Sequence, residues 1–112
     1  MKITDKDFYI IVQDEKSDIK GFANYLENVA YGKIEGKNVV VDILNYGELS
    51  LEELLSFLRL SNKHREKKKS FVIANDAIMI DQVPDELMVV PTLQEAEDVI
   101  QMEEIERDLE AF

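Results

Sequence analysis

The chain has a single histidine, no cysteine and 24 acidic residues against 13 lysines and arginines, and these counts limit the chemistry within its reach. A nucleophilic triad needs a base beside a serine or threonine. The one imidazole, His64, lies in the basic run Lys63, His64, Arg65, Lys67, Lys68 and Lys69, interrupted by Glu66, where it reads as a solvated residue. A binuclear zinc site of the His-x-His-x-Asp-His type needs more imidazoles than the sequence holds. Without thiols there can be no disulfide, thiolate zinc site, iron–sulfur cluster or cysteine nucleophile. The acidic pairs Glu52–Glu53, Asp85–Glu86 and Glu103–Glu104 are adjacent in sequence, and neighbouring helical side chains diverge, so they do not make an acid/base dyad. Gly21, Gly32, Gly36 and Gly47 fit neither phosphate-cradling glycine pattern. We therefore assign no catalytic residue, metal or cofactor, and expect no enzyme. One acid stands apart: Asp42 ends an apolar run. Ligands bind at the carboxyl ends of strands in doubly wound sheets, although an aspartate there also satisfies nearby backbone amides.

Several segments must position these residues. Phe8–Val12 (FYIIV) reads as a strand, with Lys2–Thr4 as a short partner. Ser17 or Asp18 can cap a helix carrying Ile19, Phe22, Ala23, Leu26, Val29 and Ala30 at helical spacing, stopped by Gly32. Asn38–Leu44 (NVVVDIL) is apolar on both sides, as an interior strand of a parallel sheet would be. After the turn Asn45, Tyr46 and Gly47, Ser50 and Glu53 form a capping box. The helix it opens should bury Leu51, Leu54, Leu55 and Leu58, flanked by Phe57 and Leu60, and fade into the basic run, whose cations suit a helix C-terminus. Phe71–Ala74 is a further buried strand, Asn75–Glu86 a loop or short irregular helix, and Leu87–Val90 a strand stopped by Pro91. Thr92 and Glu95 make a second capping box. The helix that follows carries Leu93, Ala96, Val99, Met102, Ile105, Leu109 and Phe112, a spacing near three that drifts around the helix after Met102, so one face cannot bury it all. Strands alternating with helices predict an α/β fold, and 112 residues suffice for one core.

The net charge of −11 is confined to the last third of the chain. Residues 1–75 carry 12 acidic and 12 basic side chains, whereas residues 76–112 carry 12 acidic and only Arg107. Such a surface repels nucleic acid and suits basic protein partners, or serves as a solvated face that keeps the protein soluble. No apolar run reaches the roughly 18 residues of a membrane span, and the opening MKITDKDF lacks the apolar stretch of a signal peptide, so a cytoplasmic protein is expected.

Three stretches together resemble the STAS domain, the fold of bacterial anti-sigma factor antagonists and of the cytoplasmic tails of sulfate transporters. They are NVVVDILNYGELSLEELLSFLRL (Asn38–Leu60), SFVIAN (Ser70–Asn75) and LMVVPTLQEAEDVI (Leu87–Ile100). The resemblance implies a STAS-like domain over residues 1–102 with a mixed, mostly parallel sheet of four to five strands covered by helices, and an acidic helical extension over 103–112. It implies a protein-binding signalling module, with an anti-sigma factor or kinase-like regulatory protein as partner and Asn45, Tyr46, Gly47, Glu48 and Ser50 as the contact surface.

The sequence departs from the family pattern in two places. Antagonists usually carry Asp-Ser-Ser-Gly where this chain reads Glu48, Leu49, Ser50, Leu51, leaving Ser50 as the one phosphorylation candidate. A phosphate there would gain from the helix amides but be repelled by Glu48, Glu52 and Glu53, and an ordinary N-cap is the other reading of Ser50. The segment between Asn75 and Leu87 is shorter than the helix the family often places there. Two further readings stand beside partner binding: a nucleotide or other small molecule near Asp42 and Ser50, and self-association through Met102, Ile105, Leu109 and Phe112.

Overall fold

A computed structural model describes residues 1–78 and 80–110, and the side chain of Ile80 is not described. Five strands form one mixed sheet in the spatial order β1-β2-β3-β4-β5. They are β1 (Lys2–Asp5), β2 (Ile10–Gln13), β3 (Val39–Asp42), β4 (Phe71–Ala74) and β5 (Met88–Val90). β1 runs antiparallel to β2, and β2 through β5 are parallel, with Gln13 level with Asp42, Asp42 with Ala74 and Ala74 with Val90. Four of these strands lie where the apolar runs predicted them, because buried parallel strands are apolar on both faces.

Alternation sends the strand side chains into two cores. One face presents Ile10, Val12, Val39, Val41, Phe71 and Ile73, and four helices cover it. These are α1 (Ile19–Asn28), α2 (Tyr31–Ile34), α3 (Leu51–Leu55) and α4 (Leu58–Glu66). The other face presents Tyr9, Ile11, Val40, Val72, Ala74 and Val90 to α5 (Leu93–Glu110), which buries Ala96 and Ile100 against them. This division follows from chain order: strands added in sequence with right-handed crossovers place every crossover on one face, and only a helix after the last strand can reach the other.

α1 behaves largely as its spacing predicts. The Asp18 carboxylate accepts from the amide of Gly21 at 3.1 Å, and Ile19, Phe22, Ala23 and Leu26 are buried. Gly21 leaves room for this cap, since a Cβ there would lie 2.2 Å from the Asp18 carboxylate and displace it. Ala30 is buried as expected, but Val29 is 70% exposed, and α1 stops at Asn28 and not at Gly32, which lies inside the separate turn α2.

The expected central helix is broken in two. The Ser56 hydroxyl donates to the Glu53 carbonyl at 2.5 Å, and the Ser56 amide is shared between the carbonyls of Glu52 and Glu53, which tightens the chain between α3 and α4. The core face consequently runs Leu54, Phe57, Leu60, Ser61 and His64, while Leu51 and Leu55 remain 50% and 39% exposed. Phe57, drawn fully inside against Phe71, replaces them. The described residues 75–78 and 80–86 are irregular, as predicted, with one 3₁₀ turn at Ile80–Gln82, and the last strand opens at Met88 and not at Leu87.

Candidate functional site

The carboxyl ends of β2, β3 and β4 support the chain from Asn45 to Ser50. Gln13 Nε2 donates to Asp42 Oδ2 across the ladder at 2.9 Å, and the Leu44 amide donates to Asp42 Oδ1 at 3.1 Å. Both oxygens of this aspartate therefore already hold protein donors, and its observed work is to end β3 and start the 3₁₀ turn Leu44–Tyr46. A cleft of about 80 Å³ lies beside it, lined in part by Asp14, Ser17, Asn45 and Tyr46.

Asn75, at the end of β4, is the residue that sequence reasoning missed. It is 2% exposed and uses its whole amide group. Nδ2 donates to the carbonyls of Ile43 at 3.2 Å and Gly47 at 2.8 Å, while Oδ1 accepts from the amides of Ala77 at 3.0 Å and Ile78 at 3.1 Å. One side chain thus ties the turn after β3 to the turn after β4. The only signal available was an asparagine directly after an apolar strand, a pattern shared with many ordinary turns.

Gly47 turns the chain with φ +84° and ψ −137°, a conformation that residues with a Cβ rarely adopt. Beyond it, the Ser50 hydroxyl accepts from the Glu53 amide at 3.1 Å, and the Glu53 carboxylate accepts from the Ser50 amide at 3.0 Å, which is the capping box read from the sequence. The Tyr46 hydroxyl donates to the second oxygen of Glu53. The Ser50 amide and then the Tyr46 hydroxyl hold the Glu53 carboxyl below its usual range, and the same bond to Glu53 raises the Tyr46 phenol. The result is a surface fixed from beneath, with Tyr46 and Gly47 half-buried and Asn45, Glu48 and Ser50 exposed. Exposed Leu51 lies on the first turn of α3, and Lys20 Nζ contacts Glu52 at 2.7 Å, bracing α3 against α1.

The basic run closes α4 as expected, with Lys63, His64 and Arg65 in the last turn, but the reading of His64 is corrected. His64 is fully buried, not solvated. The Lys37 carbonyl can only accept, so Nε2 donates to it at 2.5 Å, and in the neutral ring Nδ1 accepts from the Tyr31 hydroxyl at 3.0 Å. Burial pushes the imidazole pKa down, and Lys67, Arg65 and Lys69 push the same way against the carbonyl bond. Polar neighbours in sequence pointed to solvent, but α4 has only one inward stripe, and His64 falls on it one turn after Leu60. Three of the surrounding cations are also engaged. Lys63 and Lys67 lie 4.1 and 4.8 Å from the centre of the Tyr31 ring, Lys67 pairs with Glu35, and Arg65 binds Glu103 at 3.1 Å and the Phe71 carbonyl at 3.0 Å.

The adjacent acids Glu103 and Glu104 take separate partners. Glu104 Oε1 accepts from Asn38 Nδ2 at 2.6 Å and from Arg107 at 3.0 Å, and Arg107 also reaches the Ser70 hydroxyl at 3.1 Å. The asparagine bond and then Arg107 hold the Glu104 carboxyl below its usual range. Met102, Ile105 and Leu109 point away from the sheet, and Phe112 lies outside the described residues. Among the described residues no three acidic or histidine side chains converge as metal ligands, and no helix is long and apolar enough to cross a membrane. In comparison with known proteins, the chain matches no protein-family model and no curated protein.

Proposed function

We propose that this protein is a STAS-like, non-catalytic interaction module of bacterial regulation, bound by a regulatory protein across Asn45, Tyr46, Gly47, Glu48 and Ser50. The observation that carries the reading is the double anchoring of this turn, by Asn75 from the sheet side and by Glu53 from the helix side. A docking surface fixed before its partner arrives avoids the entropy cost of ordering a loop on binding. The five-stranded, mostly parallel sheet is compatible with the architecture that the resemblance implies. Ser50 is exposed but already serves as the N-cap. Phosphorylation there would place a dianion among Glu48, Glu52 and Glu53 and loosen the capping box, so it would act by disrupting this surface.

The test is partner capture by cross-linking in the source cells, followed by titration of the captured protein. Asn45→Arg and Tyr46→Ala should weaken binding at least about tenfold, as loss of a central interface contact does. Retention of full affinity by both variants would remove this surface from the proposal. Absence of phosphate on Ser50 in intact-mass spectra would remove the switch alone. The nucleotide reading has less support at Asp42, where about 80 Å³ of space is flanked by Asp14 and Asp42. Stabilisation by millimolar nucleotide in a thermal-shift assay would revive it.

A further inference from the structure

The outer face of α5 combines two features with no role in folding this chain. Met102, Ile105 and Leu109 are 61%, 59% and 68% exposed, and their i, i+3, i+7 spacing puts them in one stripe. The inward positions of the same turns are taken by Glu103, Glu104 and Arg107, which bind Arg65, Asn38 and Ser70. The apolar stripe cannot rotate inward without breaking those bonds. It is bordered by Asp98, Glu106 and Asp108, and among the described residues no lysine or arginine lies within ion-pair distance of these three.

We infer that the outer face of α5 docks a basic amphipathic helix of another protein, with apolar side chains on Met102, Ile105 and Leu109 and lysines or arginines against Asp98, Glu106 and Asp108. Charge selects this occupant over a second copy of the chain. Two such helices placed face to face would oppose their acidic borders, which disfavours association. In the chain's own basic run Arg65 and Lys67 are already paired with Glu103 and Glu35, which leaves Lys63, Lys68 and Lys69 without an ion pair among the described residues. The surface is separate from the Asn45–Ser50 turn. α5 leaves the carboxyl end of β5 and reaches Asn38 and Ser70 at the amino ends of β3 and β4, on the opposite face of the sheet. The inference therefore stands or falls independently of the function proposed above.

The experiment titrates the isotope-labelled full-length chain with two synthetic peptides of 18 residues, the length of α5. One carries leucines at heptad spacing flanked by lysines, and the other has the same lysines with serine for leucine. The leucine peptide should bind at least about tenfold more tightly, with amide shifts centred on residues 98–109. Ile105→Ser with Leu109→Ser should remove that difference while preserving the melting temperature. Glu106→Lys with Asp108→Lys should weaken binding without touching the apolar stripe. Tyr46→Ala should leave it unchanged. Equal binding of the two peptides, or shifts centred elsewhere, would overturn the inference. So would a concentration-dependent dimer in solution that Ile105→Ser returns to monomer, because a second copy would then be the occupant.

Discussion

The two faces of the sheet are covered by different means. On the face covered by α1 to α4, contact is mainly apolar, with Leu26, Ile34, Leu54, Phe57 and Leu60 all fully buried and Ser61 and His64 as its buried polar members. On the face covered by α5, apolar contact ends at Ile100, and beyond it the helix is held by Arg65–Glu103 and by Asn38 and Ser70 with Glu104 and Arg107. Among the described residues each face holds one buried polar atom without a partner, Ser61 Oγ on the first and Glu103 Oε1 on the second. Hydrophobic burial adds with area and is indifferent to direction, whereas a partly buried polar network contributes only when every member is satisfied. The first face should thus carry most of the stability, and the second should open first.

The comparison breaks most visibly at Phe57. Phe57→Ala should cost about 3–5 kcal/mol by emptying the centre of the first core, read as a lowered urea midpoint. Global unfolding should follow, with α5 lost together with the rest. Asn38→Ala should cost about 1–3 kcal/mol by removing donors and an acceptor from the α5 network. Its signature should be local, with faster hydrogen exchange over residues 101–110 and unchanged protection in β3 and β4. Equal acceleration in both places would mean that the two faces are one cooperative unit.

The third effect is smaller and depends on pH. The folded pKa of His64 lies below its unfolded value near 6.5, so the unfolded chain binds the extra proton first as pH falls. Stability present above about pH 6.5 should decline on the way to pH 5.5, before Glu53 and Glu104, whose folded pKa values are lowered, begin to take up protons. His64→Gln should flatten this part of the profile, measured as the difference in melting temperature between pH 7.5 and 5.5. A wild-type profile flat through that interval would contradict a neutral, buried His64.

The position of Ser50 and Glu53 was legible because a capping box is local: four consecutive residues contain both donors and both acceptors. The break at Ser56 was not, since serine occurs in unbroken helices too, and the choice depended on Phe57 finding space beside Phe71. Leu51 and Leu55 share the helical spacing of buried leucines yet face outward.

Local periodicity by itself determined the α/β class, the parallel core strands, the helix caps and the confinement of acidic charge to the last third. It also showed that the stripe on the last helix was too wide for one surface. Only the tertiary structure decided which part of that stripe is left outside, that His64 is an inward hydrogen-bonding residue, and that Asn75 ties two turns together. The physical reason is range: a cap or an alternating strand is settled within a few residues. The distant partners of Asn75, His64 and Glu104 lie 27 to 66 positions away and meet them only when the sheet brings its ends together.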